Sequence, residues 1–179
     1  MRGAEDHLAA QPVGPGAGDK AQVEVGGGRF KGIRYVASWD DKEPSIHNGH
    51  TNPSRHLYAD EAKFHEGFAV LGKLGLTFDA WCYHHTIPDV TKLARKFPNQ
   101  PIVLDHCGGP LGVGYYANRR DEIFAEWSRS IRELATCQNV MIKLGGIGMR
   151  VNGFGFHERP KPPTSEELAA AWKPYIDTC

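Results

Sequence analysis

Ile102-Val103-Leu104-Asp105-His106-Cys107-Gly108-Gly109-Pro110 is the stretch on which the reading of this chain turns. Its first three residues form the apolar, β-branched run of a buried strand. Asp105 and His106 follow at once, and Gly108-Gly109-Pro110 then turns the backbone away. In α/β sheets the carboxyl ends of the strands are where ligands bind, so a strand ending on an imidazole is a candidate for chemistry.

Working outward, this run (Pro101 to His106) is one of four, the others being Gly32 to Ala37, Leu76 to Cys82 and Val140 to Leu144. Helical periodicity fills the gaps. Phe64, Phe68, Leu71 and Leu74 share a face of a helix that Asp60 is placed to cap. Pro88 opens a short helix carrying Val90, Leu93, Ala94 and Phe97. Ile123, Phe124, Trp127, Ile131 and Leu134 mark a longer one from Arg120 to Cys137. A last helix follows Ser165 as cap, with Glu166 and Glu167 in its first turn and Pro174 as a point of kinking. The order β-α-β-α-β-α-β-α predicts an α/β fold with a parallel sheet, because parallel strands need a crossover long enough to hold a helix. An open doubly wound sheet and a segment of a closed (β/α) barrel both fit, and pattern alone does not choose. Residues 29–179 read as one domain. Met1 to Gly28, rich in Gly, Ala and Pro with the breaker cluster Pro12-Val13-Gly14-Pro15-Gly16, reads as a loosely ordered N-terminal segment.

Composition narrows the function. Of 179 residues 40% are hydrophobic and 23% charged, an ordinary balance for a globular domain with a sizeable core. The 21 basic residues match the 21 acidic ones, which gives no electrostatic case for nucleic acid or membrane as partner. Cys82, Cys107, Cys137 and Cys179 form no C-x-x-C pair, so free thiols and a reducing cytoplasm are expected. No run approaches the ~20 apolar residues of a membrane span.

Each strand end carries groups able to move protons or hold anions. The first holds Arg34 and leads to Trp39-Asp40; the second ends Trp81-Cys82-Tyr83-His84-His85; the fourth contains Lys143. His106 suits a metal ligand, a general base, an oxyanion donor or a structural histidine under the loop. Alternation along a strand places Asp105 on the face opposite His106, as a structural partner. Arg34 and Lys143 are costly to bury unpaired and point to an anionic substrate or to ion pairs. His47, His50 and His56 read as a solvated or substrate-covering loop. The Gly-rich stretches at Gly109 to Gly114 and Gly145 to Gly148 lack the order of a phosphate cradle and read as tight turns.

Phe30-Lys31-Gly32-Ile33-Arg34, Phe78-Asp79-Ala80-Trp81 with Tyr83-His84-His85, Leu104-Asp105-His106-Cys107-Gly108-Gly109-Pro110 and Lys143-Leu144-Gly145-Gly146 occur in that order. With Pro163-Thr164-Ser165-Glu166-Glu167-Leu168 through Trp172-Lys173-Pro174-Tyr175, they resemble the amidohydrolase-related family of metal-dependent TIM-barrel hydrolases. The branch is the one that includes sugar-lactone and dicarboxylate-lactone hydrolases. The resemblance covers Gly26 to Cys179 and implies a (β/α)8 barrel, of which this chain supplies about four βα units, incomplete at both ends. It implies hydrolysis of a carbonyl ester such as a lactone, with a small and anionic substrate. His106 and Lys143 are the catalytic candidates, and His106 is also the implied ligand of a divalent metal such as zinc. Arg34, Trp39, Tyr83 and His85 are the implied substrate contacts, His85 matching the histidine of a family His-Gln motif whose glutamine is Thr86 here.

Relatives carry an H-x-H pair on the first barrel strand and an aspartate on the last. Nothing like the pair precedes Phe30, and Cys179 comes before such an aspartate. A truncated hydrolase of reduced or no activity is therefore expected, with an incomplete metal site and self-association through exposed sheet edges. The alternatives are a non-catalytic barrel fragment or assembly module and a decarboxylase on the same scaffold. A nucleotide-binding open sheet is disfavoured by the missing phosphate loop.

Overall fold

The computed structural model describes residues 17–43, 46 and 55–179. The four apolar runs form strands β1 (Gly32–Val36), β2 (Thr77–Trp81), β3 (Ile102–Leu104) and β4 (Val140–Ile142). All neighbours are parallel and their order in the sheet is β1-β2-β3-β4. That order resolves the choice left open by the sequence pattern. Crossovers between parallel strands are right-handed, so a chain that always steps in one direction lays every helix on one face. A doubly wound sheet must reverse its order; this one does not. The fold is an arc of four βα units of a (β/α) barrel.

Register separates the two faces. Phe78 and Ala80 align with Ile102 and Leu104, and all four are fully buried under the helices. Tyr58, Phe64 and Phe68 pack on Phe78 with ring centroids 5.0–5.8 Å apart. On the other, inner face Arg34 aligns with Asp79, Asp79 with Val103, and Val103 with Met141. The inner face is thus polar at one end and open at the other, where Met141 is 58% exposed.

The helices are α1 (Ala17–Gly26), α2 (Leu57–Asp60), α3 (Ala62–Lys73), α4 (Ile87–Lys96), α5 (Arg120–Leu134) and α6 (Ser165–Thr178). Three differ from expectation. Residues 1–16 lie outside the described part, but residues 17–26 are helical rather than loose, because Lys20-Ala21-Gln22-Val23-Glu24 is a run of mostly good helix formers inside a Gly- and Pro-rich segment. Val23 packs against the main core. Asp60 closes α2, so Glu61 and not Asp60 precedes α3. The cap of α6 is Thr164, one residue before Ser165. Its hydroxyl accepts from the Glu167 N–H at 3.2 Å while the Glu167 carboxylate accepts from the Thr164 N–H at 2.7 Å. Pro174 sits within α6, which continues to Thr178. No described helix is long and apolar enough to cross a membrane. The cysteines are free thiols, three of them buried.

Candidate active site at the strand ends

The inner face brings four charges together, Arg34 from β1, Asp79 from β2, and Asp105 and Lys143 from the positions just past β3 and β4. Arg34 Nε lies 2.7 Å from Asp105 Oδ2, and Lys143 Nζ lies 2.9 Å from Asp105 Oδ1. Lys143 Nζ also donates to the Asp79 carboxylate. The Asp105 side chain is wholly buried, whereas those of Arg34 and Lys143 are 46% and 42% exposed. A carboxylate taken fully out of water needs such partners. Hydrogen bonding to Asp79 and then to Asp105 raises the Lys143 pKa, which keeps the ammonium protonated. Arg34 and Lys143, expected to hold substrate charge or to form ion pairs, are therefore already matched by two aspartates. Asp79 is the member the sequence reading did not single out. Its signal is register: it stands level with Arg34 on a strand whose alternate residues are apolar.

Asp105 is a structural partner as expected, but not by facing away. Its N–H continues the ladder to Ala80 O at 2.9 Å, which keeps it extended and aimed at the inner face. The chain then leaves the extended conformation. His106, Cys107, Gly108 and Gly109 have φ of +52°, +53°, +68° and +50°. Side-chain alternation ends at His106 for that reason. Two consecutive non-glycine residues in the left-handed region cost on the order of 1–3 kcal/mol each and persist only when their surroundings hold them. Here Trp127 Nε1 of α5 donates to Cys107 O at 2.6 Å, and the Cys107 N–H donates to Lys143 O at 3.1 Å.

So presented, the His106 ring meets Trp81 edge to face, centroids 4.9 Å apart. Partial burial lowers its pKa; the cations Arg34 and Lys143 act in the same direction, and the carboxylates of Asp105 and Asp79 oppose them. The imidazole is held toward its neutral form, with one N–H to donate.

Ring contacts continue from Trp81 to Tyr83 at 5.9 Å and from Tyr83 to His85 at 6.2 Å. Tyr83, expected to touch substrate, is buried and its hydroxyl donates to Ile46 O at 2.8 Å, because the short turn His84–Thr86 folds it under the rim. His84 is buried and His85 is the partly exposed one of the pair. His85 Nε2 donates to Trp39 O at 2.9 Å and lies 3.6 Å from Asp40 Oδ2. Asp40 also accepts from the Tyr116 hydroxyl, and from the N–H groups of Lys42 and Glu43 at 2.9 and 2.7 Å. The Trp39 ring carries the Arg55 guanidinium 4.9 Å from its centroid. His56, in the turn before α2, is half-exposed, and its Nδ1 pairs with Asp89 Oδ2 at 2.8 Å, at the start of α4. His47 and His50 lie outside the described residues.

A divalent metal does not fit these residues on their own. Among the described residues no group of three His, Cys, Asp or Glu side chains could hold one, and the carboxylates nearest His106 face ammonium and guanidinium groups.

Known proteins place this geometry in a wider setting. An amidohydrolase of Burkholderia multivorans, solved with bound HEPES, superposes with a TM-score of 0.63 at 21% identity, over 93% of this chain and 51% of that one. A second structure of such a protein, with bound zinc, gives 0.53 at 21% identity, over 92% and 60%. Among curated proteins, an uncharacterized protein of Sinorhizobium fredii is 26% identical over 87% of this chain and 48% of its own length. The L-fucono-1,5-lactonase of Burkholderia multivorans is 31% identical over 50% of this chain and 30% of its own. The chain thus spans at most about half the length of the curated relatives it matches. The family profile described as amidohydrolase covers residues 8–179, including every residue described above, and the chain belongs to the amidohydrolase family.

Proposed function

We propose that the rim of this barrel arc belongs to a hydrolase site that opens a lactone. The observation that carries the reading is a near-neutral imidazole, His106, set on a strained turn beside the four-charge floor of Arg34, Asp79, Asp105 and Lys143. When water adds to a lactone carbonyl, negative charge grows on the carbonyl oxygen before the ring C–O bond breaks. A neutral imidazole can donate its N–H to that oxygen without first losing a proton, and fixed donors aimed at developing charge are an effective form of catalysis. Arg34 and Lys143 add positive potential close by, held in place by Asp105. The product is a hydroxy acid, whose carboxylate suits the same cations. The lactonase relative supports a lactone as the substrate class.

The test is acid release in a pH-stat against a panel of lactones and simple esters, using this chain and a full-length relative. His106→Ala, which leaves no side-chain donor there, should lower kcat by about 10²–10³, the usual effect of removing one such donor. An unchanged kcat in that variant would sink the role given to His106. A full-length relative inert toward every lactone and ester would count against the hydrolase itself.

A further inference from the structure

Gly146 stands in the loop after β4, with φ at +72°. A Cβ built there would lie 2.3 Å from His106 Nδ1, 2.6 Å from its Cγ and 2.7 Å from its Cβ. Ordinary nonbonded contact needs about 3.5 Å, so a methyl group and the imidazole cannot both occupy that space. The ring rests on bare backbone, its Nδ1 edge toward residue 146 and its Nε2 edge away. Gly145, next in the chain, has no atom within 4 Å of an added Cβ. The same loop also steadies the turn that carries His106: Lys143 O accepts from the Cys107 N–H at 3.1 Å and from Cys107 Sγ at 3.5 Å. Trp81 provides the ring's aromatic contact, at an interplanar angle of 83°.

We propose that Gly146 is a positioning residue for His106, its missing side chain forming the seat that fixes the imidazole on the rim. The geometric part stands on the contacts above; only its effect on turnover rests on the carbonyl-polarising role proposed for His106.

Three variants of the full chain separate overlap from backbone strain. Gly146→Ala introduces both. Gly75→Ala, at φ +66° with nothing within 4 Å, introduces strain alone, and Gly145→Ala introduces neither. In NMR spectra, His106 ring protons next to Trp81 carry ring-current shifts and cross-peaks to the indole. These should be lost or displaced in Gly146→Ala and kept in both controls. A folded Gly146→Ala protein with those cross-peaks unmoved would overturn the proposal.

Because Gly146→Ala can also fail to fold, it is repeated in a His106→Gly background, where the ring is gone and the +52° backbone at residue 106 is easily met. The Tm loss caused by Gly146→Ala should shrink by at least half there, or folding should return. An equal loss in both backgrounds would also overturn the proposal. Where a lactone substrate is in hand, displacement of the ring should lower kcat about a hundredfold with KM little changed. Displacement with kcat intact would refute the role of His106 in turnover and leave the seat standing.

Discussion

His84 and His85 are adjacent, yet only the first is fully buried. His84 is buried, and its Nδ1 accepts from the Leu111 N–H at 3.4 Å, so its own proton sits on Nε2. Burial, then the nearby His85 and Lys42, push its pKa down to about 3. An unfolded histidine titrates near ~6.5. Below that pH the unfolded chain takes up a proton that folded His84 refuses. The stabilisation is therefore complete above about 6.5 and is lost progressively as pH falls toward 3, at up to about 1.4 kcal/mol per pH unit. The lowered pKa of His106 acts in the same direction. Urea unfolding at pH 7.5 and 5.5 should show His84→Asn losing about 1 kcal/mol less than the parent over that interval. An equal loss in both proteins would remove His84 as the source.

At the level of the helix, α6 shows how one residue decides where an element begins. Thr164 and Glu167 satisfy each other's backbone N–H groups, whereas Ser165 is already inside the first turn. Thr164→Ala should cost about 1 kcal/mol in chemical denaturation and Ser165→Ala far less; the reverse order would contradict the assigned cap. The sequence made elements more legible than their ends. Apolar runs bounded by turn residues disclosed all four strands, since burial against helices demands that composition. The extended chain of β3 gives out before His106 because His106 and the three residues after it take left-handed φ values that no hydropathy pattern announces. The same break hid the fact that Asp105 and His106 serve one rim. Arg34 and Lys143 were visible as charges in apolar strands. Asp79 was not, because a carboxylate between Phe78 and Ala80 reads as the wet side of an alternating strand, and only its pairing with Lys143 shows otherwise.

Across the whole molecule, Asp105 at the end of β3 ties the two outer strands of the sheet together, since Arg34 of β1 reaches its carboxylate across β2 and Lys143 reaches it from the end of adjacent β4. Removing it takes away the carboxylate paired with Arg34 and leaves Lys143 with Asp79 alone. Breaking a buried pair costs about 3–5 kcal/mol. The half-exposed cations can partly rehydrate, so Asp105→Ala should lose about 2–3 kcal/mol of unfolding free energy, at the lower end of or below that range. A loss under 1 kcal/mol would mean the aspartate is not the keystone of the inner face.

The interleaving of two ammonium-type and two carboxylate groups has one more effect. Plus and minus alternate within a few ångströms, so their fields cancel at any distance beyond the rim itself, and the chain as a whole carries no net charge. A small ion drifting in from solvent would meet almost no electrostatic pull or push. Selection at such a surface would happen on contact, by shape and by donors within reach, and capture would be correspondingly indifferent to dissolved salt.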